Sequence, residues 1–249
     1  MRGAASPPAG RSSERADGVG AELIGPRRTT RAPLPRLHVV TDDRVLAREG
    51  WTRAAAGVLA AGGAALALHV RGPRTGGATL FELARALLPE ARGSGALLIV
   101  NDRVDVALVA GTDGAHLGRR SLPVREARSL LGHAWLGASV HEPEAAGPVR
   151  SEGADYAFLG TMFRTPTHPD ATGLGPDALA RAAGGEVGFP VLAIGGIGPR
   201  RVGAVRAAGA YGVAVVSGVW DAGDPASAVA RYLEELMKAE AEPARGSTR

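Results

Sequence analysis

Short runs of β-branched and aliphatic residues alternate with longer stretches of helical period from residue 37 onward, and this alternation constrains the fold most. The runs are apolar on both faces, as strands of a buried parallel sheet are. Strands are predicted at 37–41, 64–70, 96–100, 113–117, 134–139, 154–160, 190–196 and 212–218. Amphipathic helices are predicted between them, near 51–62, 77–92, 103–110, 123–132, 142–153, 176–184, 199–208 and 225–240.

Eight β/α units predict a single α/β domain, a closed (β/α)8 TIM barrel over residues 37–240. The competing architecture is a doubly wound open sheet, but no Gly-x-Gly-x-x-Gly follows the first strand. Two tails are predicted to be disordered: an Arg-, Pro- and Gly-rich segment at 1–36 and a short one at 241–249.

The positive charge is concentrated before the barrel. Residues 1–36 hold seven arginines and three acidic residues, Glu14, Asp17 and Glu22. The net charge of this segment is therefore +4, which equals the formal net charge of the whole chain. The barrel is therefore close to neutral, and no basic and aromatic residues interleave in it, so we expect no nucleic-acid partner. An Arg-rich, acid-poor leader resembles an organelle transit peptide. We favour the alternative that the segment is a solvated extension, or that the start codon is assigned too far upstream.

Two residue types are missing or nearly missing. The chain has no cysteine, which excludes disulfides, thiolate metal sites and a cysteine nucleophile. Its one lysine, Lys238, lies in the last predicted helix, which argues against Schiff-base chemistry in the barrel. No apolar run reaches the roughly 18 to 20 residues that span a bilayer, so we expect a cytoplasmic protein with no membrane partner. A homo-oligomer is compatible with the sequence.

Polar or glycine-rich groups follow every predicted strand, at the end of a barrel where function resides. They are Thr41 and Asp42, His69 and Arg71, Asn101 and Asp102, His116 and Arg119, Ser139 and His141, residues 161–167, Gly195 and Gly196, and Ser217 and Gly218. The small residues after strands seven and eight predict a phosphate site, with a simple chain turn as the alternative. The sixth loop carries Thr165, Thr167 and His168 and suits a lid over an anionic group, or else is an irregular surface loop.

Four histidines lie in or near this mouth: His69, His116, His141 and His168. They come from different strands without metal-ligand spacing, so a zinc-type site has no support from the sequence. Proton transfer is the better use of such a histidine, although a structural imidazole is the common role of any single one.

Several segments, in this order along the chain, resemble the thiamin phosphate synthase/TenI superfamily over about residues 37–220. They are "LHVVTDD", "LIVNDRVDVAL", "DGAHLG", "LGASVH", "ADYAFLGTMFRTPTHP", "VLAIGGI" and "GAYGVAVVSGV". The resemblance implies a barrel acting on thiazole phosphate, a small-molecule partner, in vitamin B1 synthesis. It leaves two activities open, a synthase and a tautomerase.

The synthase branch joins a pyrimidine diphosphate to thiazole phosphate and releases pyrophosphate with the help of Mg²⁺. This chain keeps Arg71, Asn101 and the metal-binding Asp102 of that branch. It has His69 in place of a Gln, Ser121 in place of a second metal-binding Asp, and His168 in place of a loop Lys. Substitute cations would have to be arginines, namely Arg74, Arg119, Arg120 or Arg164.

The TenI-like branch isomerises a carboxylated thiazole phosphate by moving a proton, without a metal or other cofactor. The resemblance implies His141 of "GASVHE" as its acid/base, and the His69-x-Arg71 pattern is also TenI-like. Because the lysines and one carboxylate of the synthase are missing, we expect a tautomerase with His141 and His69 as catalytic residues. The expected phosphate ligands are Gly195, Gly196, Ser217 and Gly218, and the expected substrate ligands are Arg71, Asn101, Ser139, Thr165, Thr167 and His168. The alternatives are the synthase, with Mg²⁺ on Asp102, and a non-catalytic barrel that binds thiazole or thiamin phosphates.

Overall fold

Eight parallel strands pair in chain order, and β8 pairs with β1 to close a barrel. The computed structural model describes residues 31–164, 173–184 and 188–241. The strands are β1 Leu37–Val40, β2 Leu66–Val70, β3 Leu97–Asn101, β4 Gly114–Leu117, β5 Trp135–Val140, β6 Tyr156–Leu159, β7 Val191–Ile194 and β8 Gly212–Val215. The predicted (β/α)8 architecture is confirmed.

Helices surround the barrel, and each predicted helix has a counterpart. They are α1 Asp43–Leu46, α2 Trp51–Gly62, α3 Gly77–Ser94, α4 Val104–Ala110, α5 Val124–Leu131, α6 Ala146–Ser151, α7 Asp177–Gly184, α8 Val202–Ala207, α9 Ser217–Trp220 and α10 Pro225–Ala241. Short 3₁₀ turns at Gly63–Ala65, Pro143–Ala145 and Pro199–Arg201 precede β2, α6 and α8. Within the described ranges, no helix combines the length and the apolar character needed to cross a membrane.

Each strand is buried on both faces, which explains why the sequence shows continuous apolar runs. In β1, Leu37 and Val39 belong to the core shared with the helices, whereas Val40 packs with Phe158 inside the barrel. The inward face also carries His38, which is fully buried. The barrel interior is therefore partly polar, a feature that the apolar runs do not reveal.

Residues 31–36, which fall in the predicted tail, pack on the barrel end where the strands begin. The Arg31 guanidinium lies 3.3 Å from the centre of the Trp135 ring and 2.6 Å from the Asp155 carboxylate. The Tyr211 hydroxyl donates to the Leu34 carbonyl at 2.6 Å, and Leu34 is buried. Residues 1–30 and 242–249 lie outside the described residues, so disorder there stays a prediction.

Candidate functional site

A cavity of about 450 Å³ opens at the carboxyl ends of the strands, which is where a barrel of this class places its ligands. All eight strands or the loops that follow them contribute to its wall. Eight of the predicted site residues line it: Arg71, Asn101, Ser139, His141, Gly195, Gly196, Ser217 and Gly218. Thr165, Thr167 and His168 lie outside the described residues.

Glycines form the wall on the side of β7 and β8. Gly195 and Gly196 have φ angles of 98° and 66°, a region that L side chains rarely adopt. A Cβ on Gly196 would lie 2.9 Å from the carbonyl oxygen of Phe163. Gly218 is constrained by packing alone, because a Cβ there would collide with the Tyr232 hydroxyl. A side chain at any of these three positions would be strained or would collide, so these parts of the cavity wall carry no side chain.

Arg71 supplies a cation directly after β2, which β1 separates from β8 in the barrel. Its backbone N–H donates to Oγ1 of Thr41 at 2.8 Å, and that buried hydroxyl donates to the Arg71 carbonyl at 2.8 Å. The Arg71 side chain lines the cavity. No carboxylate of the described residues forms an ion pair with it, so its charge is available to an anionic ligand.

Asp102 follows β3, and its side chain is held by the loop after β4. Its Oδ1 accepts hydrogen bonds from the Gly118 N–H at 2.9 Å and from the Ser121 hydroxyl at 2.5 Å. Its Oδ2 has no hydrogen-bond partner among the described residues. Asp102 has a φ of 65°, unusual for a non-glycine residue, so the fold maintains a strained backbone where this carboxylate is presented.

Asp102 and Ser121 are not among the residues that line the cavity, but they lie close to it, since Asp102 is next in the chain to the lining residue Asn101, and their oxygens suit a magnesium ion. In the described part of the chain, no group of three or more His, Cys, Asp or Glu side chains can hold a metal by itself. Mg²⁺ commonly takes only one or two carboxylates from a protein and completes its shell with water and substrate phosphate oxygens. Asp102 offers one carboxylate with a free oxygen, and Ser121 adds a hydroxyl beside it. The exposed Arg119 and Arg120 lie in the same loop.

His69 does not line the cavity. It is fully buried, with its Nε2 2.8 Å from Nδ1 of His38 and its Nδ1 2.9 Å from the side-chain amide of Asn101. Burial lowers the pKa of His69 to about 4, so the imidazole is neutral near pH 7. Asn101 separates it from the cavity, so the predicted catalytic role by direct contact has no geometric basis. His38 was missed in the sequence, where its only signal is a histidine at an inward position of an apolar strand.

His116 and His141 reach the cavity in different ways. Nε2 of the buried His116 lies 2.9 Å from Oγ of Ser139, and its ring stacks on Phe158 with centroids 4.1 Å apart. Burial lowers the pKa of His116 well below its usual range, so it too is neutral. The exposed His141 donates from Nδ1 to the Gly160 carbonyl at 2.9 Å, which leaves Nε2 of its neutral form as a free acceptor.

A family model described as thiamine monophosphate synthase, named TMP-TENI, matches residues 37–219 of the chain. The chain belongs to this family. It is 43% identical over 210 residues to the thiamine-phosphate synthase of Methanoculleus marisnigri, covering 83% of this chain and 97% of that protein. It is 46% identical over 164 residues to the bifunctional thiamine biosynthesis protein ThiM/ThiE of Symbiobacterium thermophilum, covering 65% of this chain and 34% of that protein.

A solved structure supports the same family. The thiamine phosphate pyrophosphorylase of Pyrococcus furiosus superposes with a TM-score of 0.72 at 31% identity, covering 82% of this chain and 96% of that one. The family confirms the predicted place in thiamine biosynthesis.

The expectation of a tautomerase is wrong, because relatives that align over nearly their whole length are named thiamine-phosphate synthases. That expectation gave the missing lysines too much weight. An arginine is always protonated and binds phosphate oxygens with two parallel N–H groups, so it can supply the same charge. Arg71 lines the cavity, and Arg119 and Arg120 lie in the loop that holds Asp102.

Proposed function

We propose that the protein is a thiamine-phosphate synthase that joins a pyrimidine diphosphate to thiazole phosphate and releases pyrophosphate. The observation that carries the proposal is the 43% identity to a named synthase over 97% of that protein's length. The cavity supports it, because its lining includes two groups suited to anions: the glycines after β7 and β8, and Arg71 after β2.

The thiazole phosphate is assigned to the first of these groups. Gly195, Gly196, Ser217 and Gly218 line the cavity with backbone that small side chains leave accessible. Backbone N–H groups bind phosphate oxygens without bringing a full positive charge, which suits a group that does not leave. The side chains that complete the thiazole site are then Ser139 and His141 on β5 and the loop that follows it.

The diphosphate is assigned to the second group, at Arg71, because its departure needs positive charge where negative charge develops. Arg71 lines the cavity without a carboxylate partner in the described ranges, and the exposed Arg119 and Arg120 lie in the loop after β4 that holds Asp102. A magnesium ion, with Asp102 and Ser121 as its protein ligands, would neutralise the charge of the leaving pyrophosphate. Asn101, the neighbour of Asp102 in the chain, lines the cavity and is assigned as a ligand of the pyrimidine.

His116 gives Ser139 a defined direction. The Nδ1 atom of His116 is buried without a partner in the described structure, and a buried orphan acceptor is less costly than an orphan N–H. The proton therefore belongs on Nε2, which donates to Oγ of Ser139. The Ser139 hydroxyl hydrogen is then free to donate to an acceptor atom of a substrate in the cavity.

The test is pyrophosphate release by the purified protein on mixing both substrates, with and without Mg²⁺. We expect Mg²⁺-dependent release, and Asp102→Asn should raise the Mg²⁺ concentration needed, because it replaces the one carboxylate that we assign to the ion among the described residues. The control variant is Glu82→Gln, which removes an exposed carboxylate on α3 and should change nothing. Tight binding of both substrates without release of pyrophosphate would instead support the non-catalytic alternative. We also propose a cytoplasmic location, with small molecules as the ligands.

A further inference from the structure

A line of buried hydrogen bonds crosses the barrel interior and ends at the cavity. It starts at the Pro35 carbonyl, which lies 3.1 Å from Nε2 of His38. Nδ1 of His38 lies 2.8 Å from Nε2 of His69, and Nδ1 of His69 lies 2.9 Å from the terminal amide atom assigned as Oδ1 of Asn101. Both imidazoles are fully buried, and only Asn101 lines the cavity.

The number of protons in this line decides which way the Asn101 amide points. The Pro35 carbonyl is an acceptor, and so is an amide oxygen at the other end. Three hydrogen bonds between two acceptors need three N–H groups, whereas two neutral imidazoles carry two. With Oδ1 against His69, the line is complete only if one imidazole is a buried cation.

Nothing near the two rings supports a cation. Their other neighbours are the rings of Tyr156, Phe158 and His116, and no carboxylate of the described residues contacts either imidazole. Burial lowers the pKa of both histidines, and the proximity of His69 lowers that of His38 further. Both rings are therefore neutral near pH 7.

A neutral line is satisfied in only one way. His38 donates from Nε2 to Pro35, so its Nδ1 accepts from Nε2–H of His69. Nδ1 of His69 is then an acceptor, and its partner must be the NH₂ group of Asn101. If every donor and acceptor along the line were exchanged, a lone pair on Nε2 of His38 would face the Pro35 carbonyl oxygen. Two acceptors in contact repel each other in the dry interior. The oxygen and nitrogen of an amide have nearly the same shape, and such networks decide their placement.

We propose that the His38–His69 pair turns the Asn101 side chain so that its NH₂ group faces His69 and its carbonyl oxygen faces the cavity. Asn101 then selects a ligand with an N–H or O–H donor at that point, such as an exocyclic amino group. His69 is a positioning residue that acts through Asn101, and His38 fixes the tautomer of His69. The identity of the ligand rests on the proposed function, whereas the orientation does not.

The first experiment measures the tautomers by ¹⁵N NMR of the ring nitrogens in the full-length protein near pH 7, without ligand. Both His38 and His69 should be neutral, with the proton on Nε2. His38→Leu should move the proton of His69 to Nδ1, because Nε2–H has then lost its acceptor. An imidazolium, or a proton on Nδ1 of His69 in the wild type, would overturn the proposal whether or not the protein is a synthase.

The second experiment measures KM and kcat for the pyrimidine diphosphate by pyrophosphate release. His38→Leu and His69→Leu should raise KM about tenfold or more with a smaller change in kcat, since the cavity itself is intact. His69→Gln should stay within about threefold of the wild type, because a glutamine amide can donate to His38 and accept from Asn101.

The control is Leu68→Ala, on the same strand but facing the helices, which should lower the melting temperature and leave KM unchanged. Equal KM values for His69→Leu and Leu68→Ala would refute the positioning role. If the tautomers are as proposed but no variant, including the wild type, releases pyrophosphate, the proposed function fails and the orientation of Asn101 stands.

Discussion

Replacing Ser121 with aspartate tests whether this residue and Asp102 face one metal ion. The Ser121 hydroxyl lies 2.5 Å from Oδ1 of Asp102, so a carboxylate at 121 would bring two negative charges within about 4 Å. For a half-buried pair this repulsion is about 2–4 kcal/mol. In a protein of this size that lowers the melting temperature by roughly 5–15 °C. Ser121→Asn is the matched control, because asparagine has nearly the same shape as aspartate and no charge.

Magnesium should reverse the effect. An ion that binds both carboxylates at about 100 times its Kd stabilises the folded state by about 2.7 kcal/mol, which is close to the repulsion. The assay is thermal unfolding of Ser121→Asp and Ser121→Asn with and without Mg²⁺, together with the Mg²⁺ concentration needed for pyrophosphate release. We expect Mg²⁺ to raise the melting temperature of Ser121→Asp far more than that of Ser121→Asn. Equal shifts in the two variants would refute the idea that positions 102 and 121 share an ion.

Three further predictions concern the cavity and the barrel interior. Arg71→Ala should lower kcat/KM by about 10²–10³ in the pyrophosphate assay, with Arg71→Lys intermediate; an alanine variant as active as wild type would place the diphosphate elsewhere. Gly137→Ala should destabilise the protein by about 1–3 kcal/mol in urea, because its methyl group would collide with Tyr156 and His116, and an unchanged midpoint would contradict that packing. Stability should be greatest above pH 6.5 and fall toward pH 4, because the unfolded His69 (pKa about 6.5) takes up a proton that the folded one, with a pKa of about 4, resists. His69 accounts for a loss of about 3 kcal/mol in the free energy of unfolding over this range. The free energy of unfolding of His69→Gln should therefore fall correspondingly less between pH 7 and pH 4 in the same urea titrations.

The strands and helices were predictable because their signals are local. All eight strands lie within a few residues of the predicted ranges, and the helices between them follow the same pattern. Strands buried on both faces give uninterrupted apolar runs, and the glycines and prolines between the runs mark the turns. The packing of residues 31–36 was missed, since a Pro- and Arg-rich segment has no periodicity and is retained only by contacts such as Arg31 with Trp135.

The site was predictable in part. The rule that function lies at the carboxyl ends of barrel strands selected eight residues that line one cavity, and their roles stay a prediction. The same rule included His69, because a histidine near the end of a strand looks the same in the sequence whether it faces the cavity or lies one layer below it. The activity was misjudged because the missing lysines were given more weight than the retained Arg71, Asn101 and Asp102, whereas relatives that align over nearly their whole length are named synthases.

The sequence by itself determined the barrel, the end of it where the cavity opens, and the exclusion of cysteine and lysine chemistry, because composition and periodicity are properties of the chain. Only the tertiary structure decided which polar groups meet. Ser121 and Asp102 are 19 residues apart, and His38 and His69 are 31 apart, yet each pair is in hydrogen-bond contact. Such contacts depend on the register of neighbouring strands and on which face each side chain occupies. A shift of one residue in a strand would move its side chains to the opposite face of the sheet and break these contacts.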